Sequence, residues 1–291
     1  MVTHSSSSSQ TRLLFLEMLA TWQGYVRNKD LVDQFSITRQ QAYQDIRTYQ
    51  KRYPDRLHKM DSGPYQYTDD YLAQASQESL EYYLLWLSTG QFNPPPLMFQ
   101  ASLGEHCVLP QRHVAPQVMA VLTEAIRQQK RIELGYVSLS HPESEGRIFH
   151  PHTFVKTNLR WHVRGYCEKS RGYRDLVLSR CRGNAELLDD SQHTKIHDDV
   201  WNRQVELLLA PNPNLSADQQ DVIAHDYQML DGQLRLITRA ALVDYLLRDM
   251  QVKIQPSDDL PEERQLILLN PQDVAPWLFQ RSQENSHRQA T

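Results

Sequence analysis

From Thr11 the apolar positions fall at helical spacing, and Leu13, Leu14, Leu16, Met18 and Leu19 make a broad face that ends at Gly24. Leu31, Val32 and Phe35 mark one side of a second, short helix over Asn28–Phe35. Ser36, Ile37 and Thr38 follow, a set suited to turning the chain and capping a new helix. That third helix is predicted from Thr38 to about Arg52, with Ala42, Ile46 and Tyr49 inward and Arg39, Gln40, Tyr43, Gln44 and Arg47 outward. Pro54 stops it. Leu57–Met60 and Tyr65–Thr68, joined by Asp-Ser-Gly-Pro, read as a two-stranded hairpin.

Asp70–Ser88 is again helical, with a stripe of Leu80, Tyr83, Leu84 and Leu87, whereas Asn93-Pro-Pro-Pro excludes a helix and the stretch to about Pro116 reads as a linker. Val118–Gln129 is a short amphipathic helix. The period then changes to two. Arg131–Ser138 is a strand with Ile132, Leu134, Tyr136 and Ser138 on one side, Glu143–Gly146 a polar turn, and Ile148–Thr157 a strand that sets His150, His152 and Phe154 together. Leu159–Arg182 is strand, charged turn at Glu168–Gly172, and strand. Alternation sets Trp161, Val163 and Gly165 against His162, Arg164 and Tyr166, with Arg174, Arg180 and Arg182 on the second arm; Trp161 reads as core. An arginine directed at the buried side of a sheet is costly unless an anion meets it. The hairpin is therefore a candidate anion or phosphate site; if its arginines are structural, Glu168 and Asp175 are the acids to pair them.

Short strands at this spacing predict a small, strongly bent sheet or partly open barrel. The last third alternates: strand Val205–Leu209, Ser-capped helix Ser216–His225, strand Leu234–Thr238, helix Ala240–Met250, strand Gln265–Leu269. The class is α+β, divided as a domain of three helices and a hairpin over 11–70, a helical connector and linker over 71–115, a sheet domain over 116–190 and an α+β domain over 191–280.

The 291 residues, 40% hydrophobic and 23% charged, have the composition of a soluble globular protein, with no apolar run of the ~20 residues a membrane helix needs and no signal-peptide core. A cytoplasmic location is expected, with a disordered tail around Ser5–Ser9. Cys107, Cys167 and Cys181 form no CxxC pair and read as reduced thiols. Net charge is −4 but unevenly placed: +4 over Arg39–Lys59, +7 over Arg147–Arg182 and −6 from Ser191 to the end. A basic middle and an acidic tail imply separate surfaces with separate partners.

Short helix, tight turn, longer polar-faced helix and hairpin are the parts of a winged helix-turn-helix. Arginine bonds guanine O6 and N7, and glutamine bonds adenine N6 and N7, each with two hydrogen bonds. Thr38, Arg39, Gln40, Tyr43, Gln44 and Arg47 are thus candidate DNA contacts, with Lys51 and Lys59 as phosphate grips. The bland alternative is a three-helix bundle whose polar face meets water. His150 and His152 with Cys167 or Cys181 would suit a metal, but no further His or Cys falls at ligand spacing, and His193 with His197 reads as surface. No Gly-rich phosphate loop, Gly-x-Ser-x-Gly elbow or HExxH is present, so neither an enzyme nor a cofactor is expected.

Trp161-His162-Val163 in a strand that continues to Gly165-Tyr166-Cys167, then Tyr173-Arg174 and Leu178-Ser179-Arg180, with Ile132–Tyr136 and Arg147–Pro151 upstream, resembles the WYL-domain transcription regulators of bacteria. His162 and Val163 stand where the namesake motif has Tyr and Leu. The likeness spans nearly the whole chain: winged helix-turn-helix, WYL domain and C-terminal WCX domain. Within the family it is most similar to the homodimeric repressors of anti-phage defence loci, the BREX and CBASS regulators. The resemblance implies an Sm-like bent sheet in which Tyr136, Ser138, His152, Arg164, Arg174 and Arg180 line a pocket for a nucleotide or nucleic-acid effector, in a homodimer bound to an inverted-repeat DNA operator. The alternative is an RNA- or single-stranded-DNA-binding adaptor without operator recognition.

Overall fold

The computed structural model describes residues 9–60, 63–67, 77–93, 109–139, 142–143, 145–254 and 260–279. The serine run before Ser9, the start of the helix expected at Asp70, most of the linker and Cys107 lie outside them. The chain forms two compact units, Met1–Thr194 and Lys195–Thr291.

The first unit opens with helices α1 (Ser9–Gln23), α2 (Asn28–Phe35) and α3 (Arg39–Arg52). Ser36 ends α2 in the left-handed region (φ 53°), and the Thr38 side chain caps α3 by accepting from the Gln41 amide at 3.1 Å. Ala42, Ile46 and Tyr49 are buried as their spacing predicts, in one core with Phe15, Leu16, Leu19 and Trp22 of α1. Arg12 clamps Asp45 with two bonds of 2.6 and 3.3 Å, locking α3 onto α1. The wing strands β2 (Leu57–Lys59) and β3 (Tyr65–Tyr67) gain a partner that periodicity does not reveal, the two-residue β1 (Tyr25–Val26), in the order β1-β3-β2.

Two further helices tie this domain to the next. In α4 (Gln77–Thr89), Trp86 meets Phe15 edge-on at 5.2 Å and donates from Nε1 to Oε1 of Gln34 on α2 at 2.7 Å. In α5 (Pro116–Gln128), proline sits in the first turn, where its missing N–H costs nothing. Val118, Met119, Leu122 and Ala125 of α5 are fully buried, and one core runs from α1 through α5 into the following sheet.

That sheet has five antiparallel strands, β4 (Lys130–Tyr136), β5 (Glu145–Lys156), β6 (Trp161–Cys167), β7 (Gly172–Val177) and β8 (Cys181–Asp190), in the order β7-β6-β5-β4-β8. It corrects the sequence reading in three places. Strand β5 begins at Glu145, inside the expected turn. The second hairpin arm is not one strand: a 3-10 turn at Leu178–Arg180 carries the chain from β7, at one edge, to β8, which pairs with β4 at the other. The Val137 amide donates to the Arg180 carbonyl at 3.1 Å and fastens this corner. A bulge between Pro151 and Thr153 breaks the alternation, so His150 pairs across from Tyr166 while Phe154 pairs across from Val163, on the opposite face. Gly165 lies at that irregularity, where a Cβ would stand 2.2 Å from the His150 carbonyl oxygen.

The second unit is the α+β module expected: β9 (Gln204–Pro211), α7 (Ala217–Asp226), β10 (Leu234–Arg239), α8 (Val243–Asp249) and β11 (Leu266–Leu268), sheet order β10-β9-β11. Ser216 and Gln219 form the capping box of α7. The short helices α6 (Asp199–Asn202) and α9 (Pro271–Val274) are additions, and α8 is preceded by a 3-10 turn at Ala240–Leu242. Leu207, Leu209, Val243 and Val274 centre its separate core. Among the described residues no helix is long and apolar enough to cross a membrane.

Candidate nucleic-acid interface and effector site

Thr38, Arg39, Gln40, Tyr43, Gln44, Arg47, Lys51 and Lys59 are all exposed, the first seven along α3 and its cap and Lys59 on the wing. The buried stripe of Ala42, Ile46 and Tyr49 forces this, because on a helix it leaves the remaining positions to solvent. Asp45, an acid in the same segment, turns inward to Arg12 and Gln41. Arg47 lies over the Tyr43 ring at 5.8 Å. A cleft of about 450 Å³ opens between α3 and the wing, lined by Arg27, Asn28, Tyr43, Lys59, Pro64 and Tyr65. Arg27, stacked over Tyr25 at 4.6 Å, is a basic residue of this surface that the sequence reading missed. Its position just ahead of α2 was the only signal.

In the five-stranded sheet, Arg164 is buried, and the Asp175 side chain, directly opposite on β7 and itself largely covered, accepts from Nη1 at 3.0 Å. Next to this pair the same face carries rings. Tyr166 stacks on His193 at 3.7 Å and meets Tyr173 edge-on at 5.5 Å, while His152 meets Tyr173 at 5.9 Å. His150 contacts Ser191 at 2.9 Å and Glu168 at 3.1 Å; burial lowers its pKa, against the pull of the Glu168 hydrogen bond. Bonds from His150 and Arg131 hold Glu168 below the usual carboxylate range.

The six residues of the expected pocket are only partly brought together. His152 and Arg164 share the ring-bearing face. The register sets Arg174 opposite Gly165, hence on the other face, where it is exposed. Tyr136 belongs to the core, its hydroxyl accepting from the Val177 amide at 3.2 Å. Ser138 and Arg180 lie half-buried at the corner between β7 and β8. Trp161 is half-buried and packs against the core, and it links the sheet to α4 by donating to Glu81 at 2.7 Å; Lys156 pairs with the same carboxylate. His162 is buried, and desolvation, Arg160 and Arg180 bring its pKa down to about 4. Among the described residues no three His, Cys, Asp or Glu side chains are grouped to hold a metal ion.

Residues 8–89 match the BrxR transcriptional regulator winged helix-turn-helix domain, 117–183 the WYL domain, and 204–274 the BrxR transcriptional regulator C-terminal dimerization domain. Over 277 residues the chain is 31% identical to the DNA-binding transcriptional repressor CapW of Escherichia coli, covering 93% of this chain and 92% of the relative. The chain belongs to the CapW family of DNA-binding transcriptional repressors. CapW of Pseudomonas aeruginosa is 30% identical over 91% of this chain and 90% of its own, and CapW of Stenotrophomonas maltophilia 27% identical over 94% and 95%. Among solved structures, the proteasome accessory factor B/C of Arthrobacter aurescens aligns with 94% of this chain and 48% of its own at 17% identity, with a TM-score of 0.24, too loose a fit to bear on the fold. The CapW relatives are regulators by name, and the three matched domains follow the order winged helix-turn-helix, WYL, dimerization along this CapW-family chain.

Proposed function

We propose that this protein is a homodimeric transcriptional repressor of a phage-defence locus, whose winged domain reads an inverted-repeat operator and whose WYL sheet senses a nucleotide or nucleic-acid effector. The observation that carries the reading is the outer face of α3: all the basic and amide residues picked out by helical spacing stand in solvent, on a helix clamped to its domain by the Arg12–Asp45 pair. Arg39, Gln40, Gln44 and Arg47 meet base edges in the major groove, while Thr38, Tyr43, Lys51 and Lys59 hold phosphates. Residues 204–274 join the two copies. His152, Ser138 and Arg180 serve the effector, with Arg164 and Tyr136 shaping the sheet that presents them, while Arg174 stands on the opposite face, outside the site. An effector changes operator affinity only through unequal binding to the DNA-competent and incompetent states, a coupling of ~1–3 kcal/mol in typical cases.

Substitution on α3 tests the reading. Arg39→Ala and Gln44→Ala should each cost ~1–3 kcal/mol on the operator and little on random duplex, because base contacts specify. Lys51→Ala and Lys59→Ala should weaken both DNAs alike and lower the salt slope by about one each. Equal losses on both DNAs for the α3 pair would refute base reading by this helix.

A further inference from the structure

A second basic cluster stands apart from the Arg164 face. Where the segment 109–114 passes the turn between β5 and β6, a cavity of about 80 Å³ is lined by Leu80, Val114, Trp161 and Ser179 together with Arg112 and Arg160. Arg180 follows Ser179 in the same 3-10 turn. Arg160, Arg180 and Arg112 all act on the ring of His162, which its burial and their charges keep neutral. Among the described residues no acid is in ion-pair contact with Arg112 or Arg180. The carboxylate beside Leu80, that of Glu81, is already taken by Lys156 and Trp161. Arg164, by contrast, has Asp175.

Arg112 at the cavity and Arg180 in the turn beside it are like charges held near one another, and an anion bound between them, against the wall that Arg160 completes, lowers their mutual repulsion. Guanidinium groups suit phosphate because their planar forks bond its oxygens in pairs. The space takes a small anion and falls well below the ~300–1,000 Å³ of pockets that enclose a whole drug-sized ligand. It therefore fits the end of a ligand whose remainder lies outside.

We propose that Arg112, Arg160 and Arg180 form a seat for a terminal phosphoryl group of the effector. This rests on the reading of the WYL domain as a sensor of nucleotides or nucleic acid, and adds Arg112 and Arg160 to it. The seat borders α4, the helix whose Trp86 touches Phe15 and Gln34 of the winged domain, so an occupied seat lies one helix away from the DNA-reading elements.

The test uses the full chain and one short single-stranded DNA, prepared with a 5′-phosphate and with a 5′-hydroxyl, read by fluorescence anisotropy. The phosphorylated strand should bind about tenfold tighter, the equivalent of ~1.4 kcal/mol. That preference should vanish in the Arg112→Gln, Arg160→Gln double variant and survive in Arg174→Ala. Inorganic phosphate as competitor distinguishes the source: displacement of the phosphorylated strand means that the seat takes the free ion, and no displacement that it requires the strand end. Equal binding of the two strands by the unaltered protein, or a preference that persists in the double variant, overturns the proposal. Operator binding by each variant reports its fold. A parent protein that binds no duplex would sink the repressor reading without bearing on the seat.

Discussion

Removing Arg164 should unsettle the sheet itself. Its guanidinium and the Asp175 carboxylate are 7% and 6% exposed and 3.0 Å apart, so neither charge has water to fall back on. Breaking a buried pair on one side leaves the other charge in a poorly solvating site and costs ~3–5 kcal/mol. For a unit of this size 1 kcal/mol moves the melting temperature by ~2–4 °C, so Arg164→Ala should melt roughly 10 °C below the parent. Replacing both partners, as Arg164→Met with Asp175→Leu, removes both desolvation costs and should return stability to within ~1 kcal/mol. Calorimetry or urea unfolding of the parent, the two single variants and the double variant gives the coupling directly. An Arg164→Ala protein that melts within about 2 °C of the parent would refute the pairing and restore this arginine to the groups held ready for a ligand.

Two further perturbations probe the same sheet. Gly165→Ala places a Cβ 2.2 Å from the His150 carbonyl oxygen and 2.8 Å from the Phe149 ring, so β5 and β6 must separate; overpacking of this kind costs at least ~1–3 kcal/mol, and unchanged urea unfolding would contradict the strand register. His162 has a folded pKa of about 4 against an ordinary value of 6.5, so the unfolded chain binds its proton first. Its contribution is complete above the unfolded value of ~6.5 and is lost as pH falls toward about 4, by ~2 kcal/mol at pH 5. His162→Asn should flatten stability between pH 8 and pH 5, and an unaltered pH slope would place the ring in solvent.

The helices were legible because burial on a helix follows a single period. Ala42, Ile46 and Tyr49 fixed the buried side of α3, Thr38 marked its start, and the exposed set followed. Strand positions in the sheet were legible for the same reason, but sidedness was not. A bulge adds one residue without any mark in the hydrophobic pattern, and it moved Phe154 away from His150. The arginine-rich hairpin correctly signalled a buried cation in need of an anion; only the register, which sets Asp175 across from Arg164 and Arg174 across from Gly165, identifies the anion as the protein's own. Arg112 and Arg160 occupy stretches without periodicity, and tertiary structure alone gathers them near Arg180. The pairing of β8 with β4 is likewise a long-range contact that local propensity does not encode.

Footprinting the full chain on duplexes selected from a random-sequence pool shows whether two copies of α3 read an operator. Two protected half-sites in inverted repeat are expected, spaced by one helical turn of ~34–36 Å or a multiple of it, with a recognition helix of one protomer in each major groove. Tight binding to single strands with no duplex sequence protected would contradict operator reading.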